Sequence, residues 1–408
     1  MKYKIIKNCQ ISNSTDLKKI LSLGLIPPVN QMSSIKSSPK DQLFFPTELF
    51  YCPTSNLVQL GVEVDKKVIF PKEYPYTSST TKILRDNFAE LAKEVNQHFS
   101  LSDKDLVIDI GSNDGNLLSN FKKQCRILGI TPENIAKIAI KKGIPTIQDY
   151  FSKNLSLKIE KKYGKAKIIT ATNVFAHMDN ILILLKSIKK LMKKDGLFIS
   201  ESHYLYDLIQ QNQYDTVYHE HLRYYSLTSL NFLFDKVDLE IIRAKKIKTH
   251  GGSIRVYAAK KGIYKKSKNL KSIFDIEKNL FKKKLYSFSK RVTKSKLDLY
   301  KLLSKIKKNS TRIYGISAPS RATTLANYVG LNRDIIECIL EIDGSQKIDH
   351  FLPGTDIPIH NEKKLYKDQP EYAFIFSWHI SKEIISNLKS RGYKGKFIIP
   401  LPTPKIIS

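Results

Sequence analysis

The sequence has few of the features that mark secreted, disordered or membrane proteins. Its four cysteines, Cys9, Cys52, Cys125 and Cys338, are far apart and offer no disulfide framework. Low-complexity sequence is scarce, and no run approaches the ~20 apolar residues of a membrane span. The basic N-terminus lacks the apolar core of a signal peptide. We therefore expect a folded, soluble, cytoplasmic protein without a membrane partner.

Positive charge is in excess, with a formal net charge of +31 on 408 residues. Such a charge suggests a nucleic-acid partner, but the lysines are scattered through every segment, as an A/T-rich coding bias would produce. The densest basic region, residues 260–308, interleaves lysine with apolar residues at helical spacing, which is typical of solvated amphipathic helices. We therefore expect no nucleic-acid partner.

The N-terminal region, residues 1–72, carries two incomplete metal motifs. Cys9-Gln-Ile-Ser12 and Cys52-Pro-Thr-Ser55 each have the C-x-x-C spacing of a zinc knuckle, with serine in place of the second cysteine. Structural zinc takes four thiolate or imidazole ligands, and serine is a poor substitute. We therefore predict that no metal is bound and that the cysteines are small buried hydrophobes.

An α/β pattern begins near residue 105. An apolar run of the buried parallel-strand type ends in the turn Gly111-Ser-Asn-Asp-Gly115, and a helix follows. A strand, a glycine turn and a helix N-terminus together allow a ligand to approach the backbone closely. In class I S-adenosylmethionine enzymes this turn, with the acid before it, here Asp109, packs on the cofactor.

Polar residues also follow the neighbouring predicted strands. The second strand ends at Thr131, where Rossmann-like folds usually have an acid that holds the ribose hydroxyls. Glu133 and Asp149 are two nearby carboxylates that could replace it, and the sequence does not choose between them. Asn173 and His177 follow the third strand, at the edge where open α/β sheets bind ligands.

The most unusual stretch is residues 213–227, which contains four tyrosines, two histidines, two acids and an arginine. It has no period of 2 or 3.6, so it is not typical of a packed helix or strand. The preceding strand ends in Glu201 and His203 and leads directly into it. Histidine beside tyrosine and glutamate on a loop is suited to proton abstraction, and a hydrogen-bonded structural loop is the alternative.

A second α/β unit begins near residue 311. Its loop, Ser317-Ala-Pro-Ser-Arg-Ala-Thr-Thr324, places Arg321 at a helix start, where a phosphate could bind. We therefore predict four segments. They are an N-terminal domain (1–72), a ligand-binding α/β domain (73–260), a basic helical linker (261–310) and a C-terminal α/β domain (311–408).

Together, the motifs resemble the three-domain sugar C-methyltransferases, which methylate nucleotide-linked 4-keto-deoxysugars. The resemblance spans nearly the whole chain and rests on the two C-x-x-(C) spacings and seven short motifs. These are Leu57-Val-Gln-Leu60, Tyr74-Pro-Tyr-Thr-Ser-Ser79, Asp109-Ile-Gly-Ser-Asn-Asp-Gly115, Asn173-Val-Phe-Ala-His177, Tyr214-Asp-Thr-Val-Tyr-His-Glu-His221, Thr249-His-Gly-Gly-Ser-Ile-Arg255 and Leu352-Pro-Gly-Thr355. The resemblance implies a central Rossmann-like class I methyltransferase domain between a small degenerate zinc-binding-like domain and a second, C-terminal Rossmann-like domain.

The resemblance also implies roles for individual residues. His221 falls on the base that removes a proton next to the ketone, and its catalytic partners are Tyr218, Glu220 and Tyr76. The implied cofactor is S-adenosylmethionine, held by Asp109, Gly111, Ser112, Asp114, Thr131 and Asn173. The implied partner is a nucleotide-linked sugar, bound by His177, Tyr224 and Arg321.

Three departures from the family pattern keep other functions open. Ser12 and Ser55 replace zinc ligands, Thr131 replaces the ribose-binding acid, and the loop at Arg321 is poor in glycine. Losing the charged hydrogen bond at Thr131 would cost roughly 1.5–3 kcal/mol. The alternatives are methylation at oxygen or nitrogen of a related sugar nucleotide, and a non-catalytic sugar-nucleotide-binding protein.

Overall fold

The computed structural model describes residues 2–36, 42–70, 78–79 and 81–408. Its N-terminal elements are β1 (Tyr3–Ile5), β2 (Lys18–Ile26), β3 (Phe45–Cys52), β4 (Leu57–Leu60), β5 (Val62–Val64) and α1 (Lys66–Ile69). Burial alternates along most of β3, so one face of this strand packs inward. β4 is buried along its whole length.

Strands and helices alternate through the central region. They are α2 (Lys82–Phe99), β6 (Leu106–Ile110), α3 (Asn116–Ser119), β7 (Arg126–Ile130), α4 (Ala136–Lys141), β8 (Thr146–Ile147), α5 (Lys153–Tyr163), β9 (Ala166–Thr172), α6 (Ile181–Leu191), β10 (Met192–His203), α7 (Leu205–Gln210), β11 (Arg223–Tyr224), α8 (Leu227–Asp235), β12 (Leu239–Ile247) and β13 (Ser253–Lys260). Three short 3-10 helices lie among them, at Phe175–His177, Tyr214–Thr216 and Thr249–Gly251.

Seven of these strands form one sheet, in the order β12-β13-β10-β9-β6-β7-β8. Strands β6 to β10 are parallel to one another. β13 runs antiparallel to both of its neighbours, β10 and β12, and β12 forms the edge of the sheet. β6 and β9 are buried at every residue, as expected for a parallel sheet covered on both faces. The carboxyl ends of β6, β7, β9 and β10 therefore meet at one edge, where the predicted site residues follow.

The segment just after His221 joins the central region to the N-terminal one. β11 pairs with β4, which makes the second sheet β11-β4-β3-β2. The backbone N–H of Leu60 also donates to the carbonyl of Leu222 at 3.1 Å. The polar stretch is thus bonded on one side to the N-terminal sheet.

The basic region contains the predicted amphipathic helices, α9 (Leu270–Asn279) and α10 (Phe288–Lys307), separated by a π-helical turn. Phe288, Val292 and Leu299 of α10 are buried. Glu277 of α9 is also buried, and it accepts the backbone N–H groups of Leu227 and Thr228 at 2.6 and 2.8 Å, which caps the start of α8. The region predicted to be a linker is therefore packed into the fold.

The C-terminal region forms a six-stranded sheet. Its elements are β14 (Ile313–Ile316), α11 (Ser320–Val329), β15 (Cys338–Glu341), β16 (Ile359–Asn361), α12 (Lys363–Asp368), β17 (Tyr372–Ile375), α13 (Ser381–Ser390), β18 (Lys396–Ile399) and β19 (Lys405–Ile407). The order is β16-β15-β14-β17-β18-β19, and only β19 runs antiparallel to its neighbour. This is the doubly wound order, with the reversal between β14 and β17. In the described part of the chain, none of the helices combines the length and apolar character that a membrane span requires.

Candidate active site

His221 lies buried at the centre of the polar stretch, with 8% of its surface exposed. Its Nδ1 is 2.9 Å from the backbone carbonyl oxygen of Thr216. A carbonyl oxygen only accepts hydrogen bonds, so we assign the proton to Nδ1. The lone pair of the neutral ring is then on Nε2, and this nitrogen is the one that can take a proton.

Aromatic and imidazole rings surround His221. The ring centroid of Tyr218 is 4.2 Å away, that of His203 4.8 Å, that of His177 4.9 Å and that of Tyr224 6.0 Å. The Tyr224 hydroxyl donates to the Thr216 carbonyl at 3.3 Å, so the same oxygen holds two members of the cluster. The predicted residues His177, Tyr218 and Tyr224 are thus brought together with the predicted base.

Burial keeps His221 neutral. Desolvation lowers its pKa to about 4, and the nearby charge of Arg321 acts in the same direction. The hydrogen bond to Thr216 opposes this shift without reversing it. A neutral imidazole at pH 7 is ready to act as a base and needs no prior deprotonation.

Arg321 reaches the cluster from the start of α11 and is itself buried. It donates to Nδ1 of His379 at 2.9 Å, and its Nε lies 3.5 Å from Oδ2 of Asp215. Its guanidinium sits 5.3 Å from the ring centroid of Trp378, whose Nε1–H donates to the same Asp215 oxygen at 2.8 Å. The C-terminal region therefore brings a positive charge against the histidine cluster.

Two neighbours of His221 face the N-terminal region. Glu220 is buried and accepts from the side chain of Asn30 at 2.7 Å. Nε2 of His219 lies 3.2 Å from the carbonyl of Pro46 and 3.1 Å from the hydroxyl of Thr47. His219 is therefore a structural contact to β3, and the predicted partner Glu220 lies at a junction between regions.

The glycine turn after β6 has the conformation that a closely approaching ligand requires. Gly111 has φ +77°, and a Cβ there would lie 2.9 Å from the side chain of Val174. Only glycine fits this position without strain. Asn173, at the end of β9, also has positive φ and faces the same edge of the sheet.

Asp109 and Asp114, the two predicted acids of this turn, both accept hydrogen bonds from other side chains of the protein. Asp109 is buried and accepts from the Thr170 hydroxyl at 2.6 Å, and desolvation raises its pKa to about 7. Asp114 accepts from Ser78 at 2.6 Å and from Lys142 at 2.9 Å. Burial would raise the pKa of Asp114, but these hydrogen bonds outweigh burial and lower it. Both predicted acids thus stabilise the conformation of the turn.

The edge of the sheet suits a cofactor with a charged amino-acid part and ribose hydroxyls. Oγ of Ser112 and Oδ1 of Asn173 are buried and have no hydrogen-bond partner among the described residues. Thr131 donates to Oε2 of Glu133 at 2.6 Å, whereas Asp149 is exposed and accepts from the backbone N–H of Tyr150. Of the two carboxylates that the sequence left open, Glu133 is the one that lies at the end of β7. These residues fit S-adenosylmethionine.

The two incomplete metal motifs do come together. Cys9 Sγ is 3.1 Å from Ser55 Oγ, and Ser12 Oγ is 3.5 Å from Cys52 Sγ. Burial alone would raise the pKa of the Cys52 thiol, but hydrogen bonds from Ser12 and Ser55 outweigh it and lower the pKa. Two thiols and two hydroxyls do not match the four thiolate or imidazole ligands of structural zinc, and the described residues contain no cluster of histidine, cysteine or acids that could hold a metal.

Several residues of this site were not among the predictions, and one prediction is not placed. Asp215, His250, Trp378 and His379 all contact Arg321, and His250 lies 5.4 Å from His203 between ring centroids. The sequence could have indicated Trp378, because it lies just after β17, at the carboxyl end of a parallel strand, where ligands bind. Tyr76 lies outside the described residues.

The seven-stranded sheet and its glycine turn give the central region a Rossmann-like fold, and a family model identifies it as a class I S-adenosylmethionine-dependent methyltransferase domain. Three family models match the chain in succession. They are a "Putative zinc binding domain" at residues 9–70, a "Methyltransferase domain" at 82–244 and a "C-methyltransferase C-terminal domain" at 248–402. The three models follow one another in the order that the motifs predicted, so the chain resembles the three-domain C-methyltransferases over nearly its whole length.

Similar proteins are known by sequence and by structure. C-methyltransferase NovU of Streptomyces niveus is 28% identical over 99% of this chain and 97% of its own length. An S-adenosylmethionine-dependent methyltransferase of Clostridium acetobutylicum shares 14% identity over 45% of this chain and 94% of its own, with a TM-score of 0.35. Magnesium protoporphyrin IX methyltransferase of Synechocystis shares 12% identity over 43% of this chain and 79% of its own, with a TM-score of 0.33.

Proposed function

We propose that the protein methylates a carbon next to the ketone of a nucleotide-linked keto-deoxysugar, with His221 as the base. The observation that carries this proposal is the hydrogen bond from Nδ1 of His221 to the Thr216 carbonyl. It leaves a basic Nε2 on a buried ring among other aromatic side chains. The likeness to C-methyltransferase NovU supports transfer to carbon.

The first step is a proton transfer. A ketone acidifies the hydrogen on its α-carbon, so a neutral imidazole at hydrogen-bond distance can remove it. The C–H bond breaks, an N–H bond forms at Nε2 of His221, and the electron pair passes into an enolate. His221 then carries the proton, and the adjacent Thr216 carbonyl stabilises the resulting imidazolium through Nδ1–H.

The developing enolate oxygen needs a hydrogen-bond donor. Burial raises the pKa of Tyr218 well above its usual value, and the charge of nearby Glu220 acts in the same direction. Tyr218 therefore keeps its proton at neutral pH and can donate it to the enolate oxygen. Tyr76 remains a predicted second donor.

S-adenosylmethionine, when bound, supplies the electrophilic methyl group. The turn at Gly111 would accommodate its amino-acid part, with Ser112 and Asn173 as polar contacts. We propose that Glu133, held by Thr131, takes the ribose-binding role of the missing acid. Asp109 and Asp114 keep the turn in shape.

The C-terminal region would hold the nucleotide. Arg321 lies at the start of α11, next to the reversal in strand order between β14 and β17, which is where doubly wound sheets bind ligands. Its guanidinium matches a phosphate in geometry and charge. Arg321 is thus the proposed contact for the diphosphate.

Labelled S-adenosylmethionine with a panel of 4-keto-deoxysugar nucleotides tests this function. We expect transfer of the label to at least one of them and a new carbon–methyl signal by NMR. A methyl group on oxygen or nitrogen would instead make His221 the base for a hydroxyl or amine. No transfer from a folded protein that also fails to bind S-adenosylmethionine by calorimetry would favour a non-catalytic sugar-nucleotide-binding protein.

A further inference from the structure

The C-terminal region contacts the base through a chain of buried polar groups. Trp378, the single tryptophan of the sequence, donates from Nε1 to Oδ2 of Asp215 at 2.8 Å. Asp215 is the middle residue of the 3-10 helix Tyr214–Thr216, and Thr216 supplies the carbonyl that fixes His221. Two hydrogen bonds and one turn of backbone therefore connect the indole to the proposed base.

The residues that connect Trp378 to His221 are all buried. Trp378 is 6% exposed, Asp215 0% and Thr216 1%. A hydrogen bond to a buried carboxylate is stronger than one in water, and a carboxylate left without that donor is costly. The bond from Trp378 to Asp215 is therefore a strong contact between the C-terminal region and this 3-10 helix.

The contacts that α11 makes to this turn are longer. Arg321 Nε lies 3.5 Å from the same Asp215 oxygen, and the Thr324 hydroxyl lies 3.4 Å from the Val217 carbonyl. Among the described contacts that the C-terminal region makes to this turn, the indole N–H is the one at the ideal distance for a hydrogen bond.

We propose that Trp378 is a positioning residue for the base. By holding Asp215 it keeps the Thr216 carbonyl on Nδ1 of His221, and so keeps the basic lone pair on Nε2. This role rests on the proposed function, because it concerns the rate of proton abstraction. It also assigns the C-terminal region a part in the chemistry besides binding the nucleotide.

Trp378→Phe tests the role, because phenylalanine keeps an aromatic ring against Arg321 and removes the N–H. The measurement is exchange of the substrate α-hydrogen in D2O, with a 4-keto-deoxysugar nucleotide that the wild-type protein methylates. We expect the exchange rate and kcat to fall about tenfold, equivalent to about 1.4 kcal/mol. KM for the sugar nucleotide and Kd for S-adenosylmethionine should stay at their wild-type values.

Asp215 variants test the same bond from its other end. Asp215→Asn keeps an oxygen acceptor for the indole and should retain most of the exchange rate. Asp215→Ala removes the acceptor and should lower the rate about as much as Trp378→Phe. The double variant Trp378→Phe/Asp215→Ala should exchange no more slowly than Asp215→Ala, since Asp215→Ala already removes the acceptor of the indole N–H.

Tyr314→Phe is a matched control within the same sheet. It removes the tyrosine hydroxyl, which donates a hydrogen bond to Asp368 at 2.7 Å. The hydrogen bonds between Trp378 and His221 are left unchanged. We expect this variant to exchange the α-hydrogen at the wild-type rate. That result would show that losing a hydrogen bond elsewhere in the C-terminal region does not slow proton abstraction.

The outcomes are distinct. Wild-type protein that exchanges no α-hydrogen in any keto sugar would overturn the proposed function. Wild-type protein that does exchange it, with equal rates in Trp378→Phe, would overturn the positioning role alone. The role also fails if Asp215→Asn is as slow as Asp215→Ala, or if Trp378→Phe changes only KM. If Trp378→Phe does not fold, the two Asp215 variants decide.

Discussion

Restoring two cysteines should convert the N-terminal thiol–hydroxyl cluster into a zinc site. The change is Ser12→Cys together with Ser55→Cys, which gives four thiols at positions that already converge. The Cys9–Ser55 and Ser12–Cys52 contacts are 3.1 and 3.5 Å. With Zn–S bonds of about 2.3 Å, neighbouring sulfurs of a tetrahedral site lie about 3.8 Å apart, so these contacts must lengthen by about 0.3–0.7 Å.

The expected gain follows from linkage between binding and folding. A metal that binds only the folded chain raises the free energy of unfolding by about 4 kcal/mol when its free concentration is 1,000 times its Kd. In the wild-type protein the same zinc concentration should have almost no effect, because two hydroxyls replace two thiolates. The stabilisation should disappear on addition of a chelator.

Metal analysis and chemical unfolding measure the effect. We expect about one zinc per chain in the double variant, in line with a single four-ligand site, and well below that in the wild-type protein and in Ser12→Cys alone. Stoichiometric zinc in the wild-type protein would refute the reasoning, since two thiols would then suffice. A double variant that folds but binds no zinc would show that the four positions do not form a tetrahedral site.

The other predictions concern the candidate active site. His221→Ala should lower kcat about 10²–10⁴-fold, the range for loss of a general base, while calorimetry finds S-adenosylmethionine binding unchanged; a large loss of cofactor affinity would mean that the base lies elsewhere. Because the pKa of His221 is lowered to about 4 and the base works only when neutral, the rate of α-hydrogen exchange without S-adenosylmethionine should be level through pH 6.5 and fall only as the pH drops toward 4. An acid limb near pH 6.5 in this rate would contradict the assignment. Glu133→Gln should weaken S-adenosylmethionine binding about 10- to 100-fold, as for loss of a charged hydrogen bond, whereas the control Asp149→Asn should bind like the wild-type protein; equal loss in both would argue against the assignment of Glu133.

Much of the fold follows from local patterns. The buried apolar run at residues 106–110 and the glycine turn after it predicted a parallel strand and a ligand-binding edge, because burial on both faces requires continuous apolar sequence. The helical spacing of apolar residues within 260–308 likewise predicted amphipathic helices, which are α9 and α10. The packing of Glu277 against the start of α8 was not predictable, since the two residues it caps lie 49 and 50 positions away.

Residue types and their order were enough to indicate an S-adenosylmethionine-dependent enzyme. They also predicted a histidine base in the stretch 213–227, with a hydrogen-bonded structural loop as the alternative. They did not separate His219 from His221 by physical argument, because neighbouring side chains in an irregular loop have no fixed period of direction. The tertiary structure places His219 against β3 and His221 among the rings. It also places Glu133 beside Thr131 and leaves Asp149 exposed. Trp378 reaches Asp215 across 163 positions of sequence. These positions depend on how whole regions of the protein pack against one another, and no local sequence pattern encodes that packing.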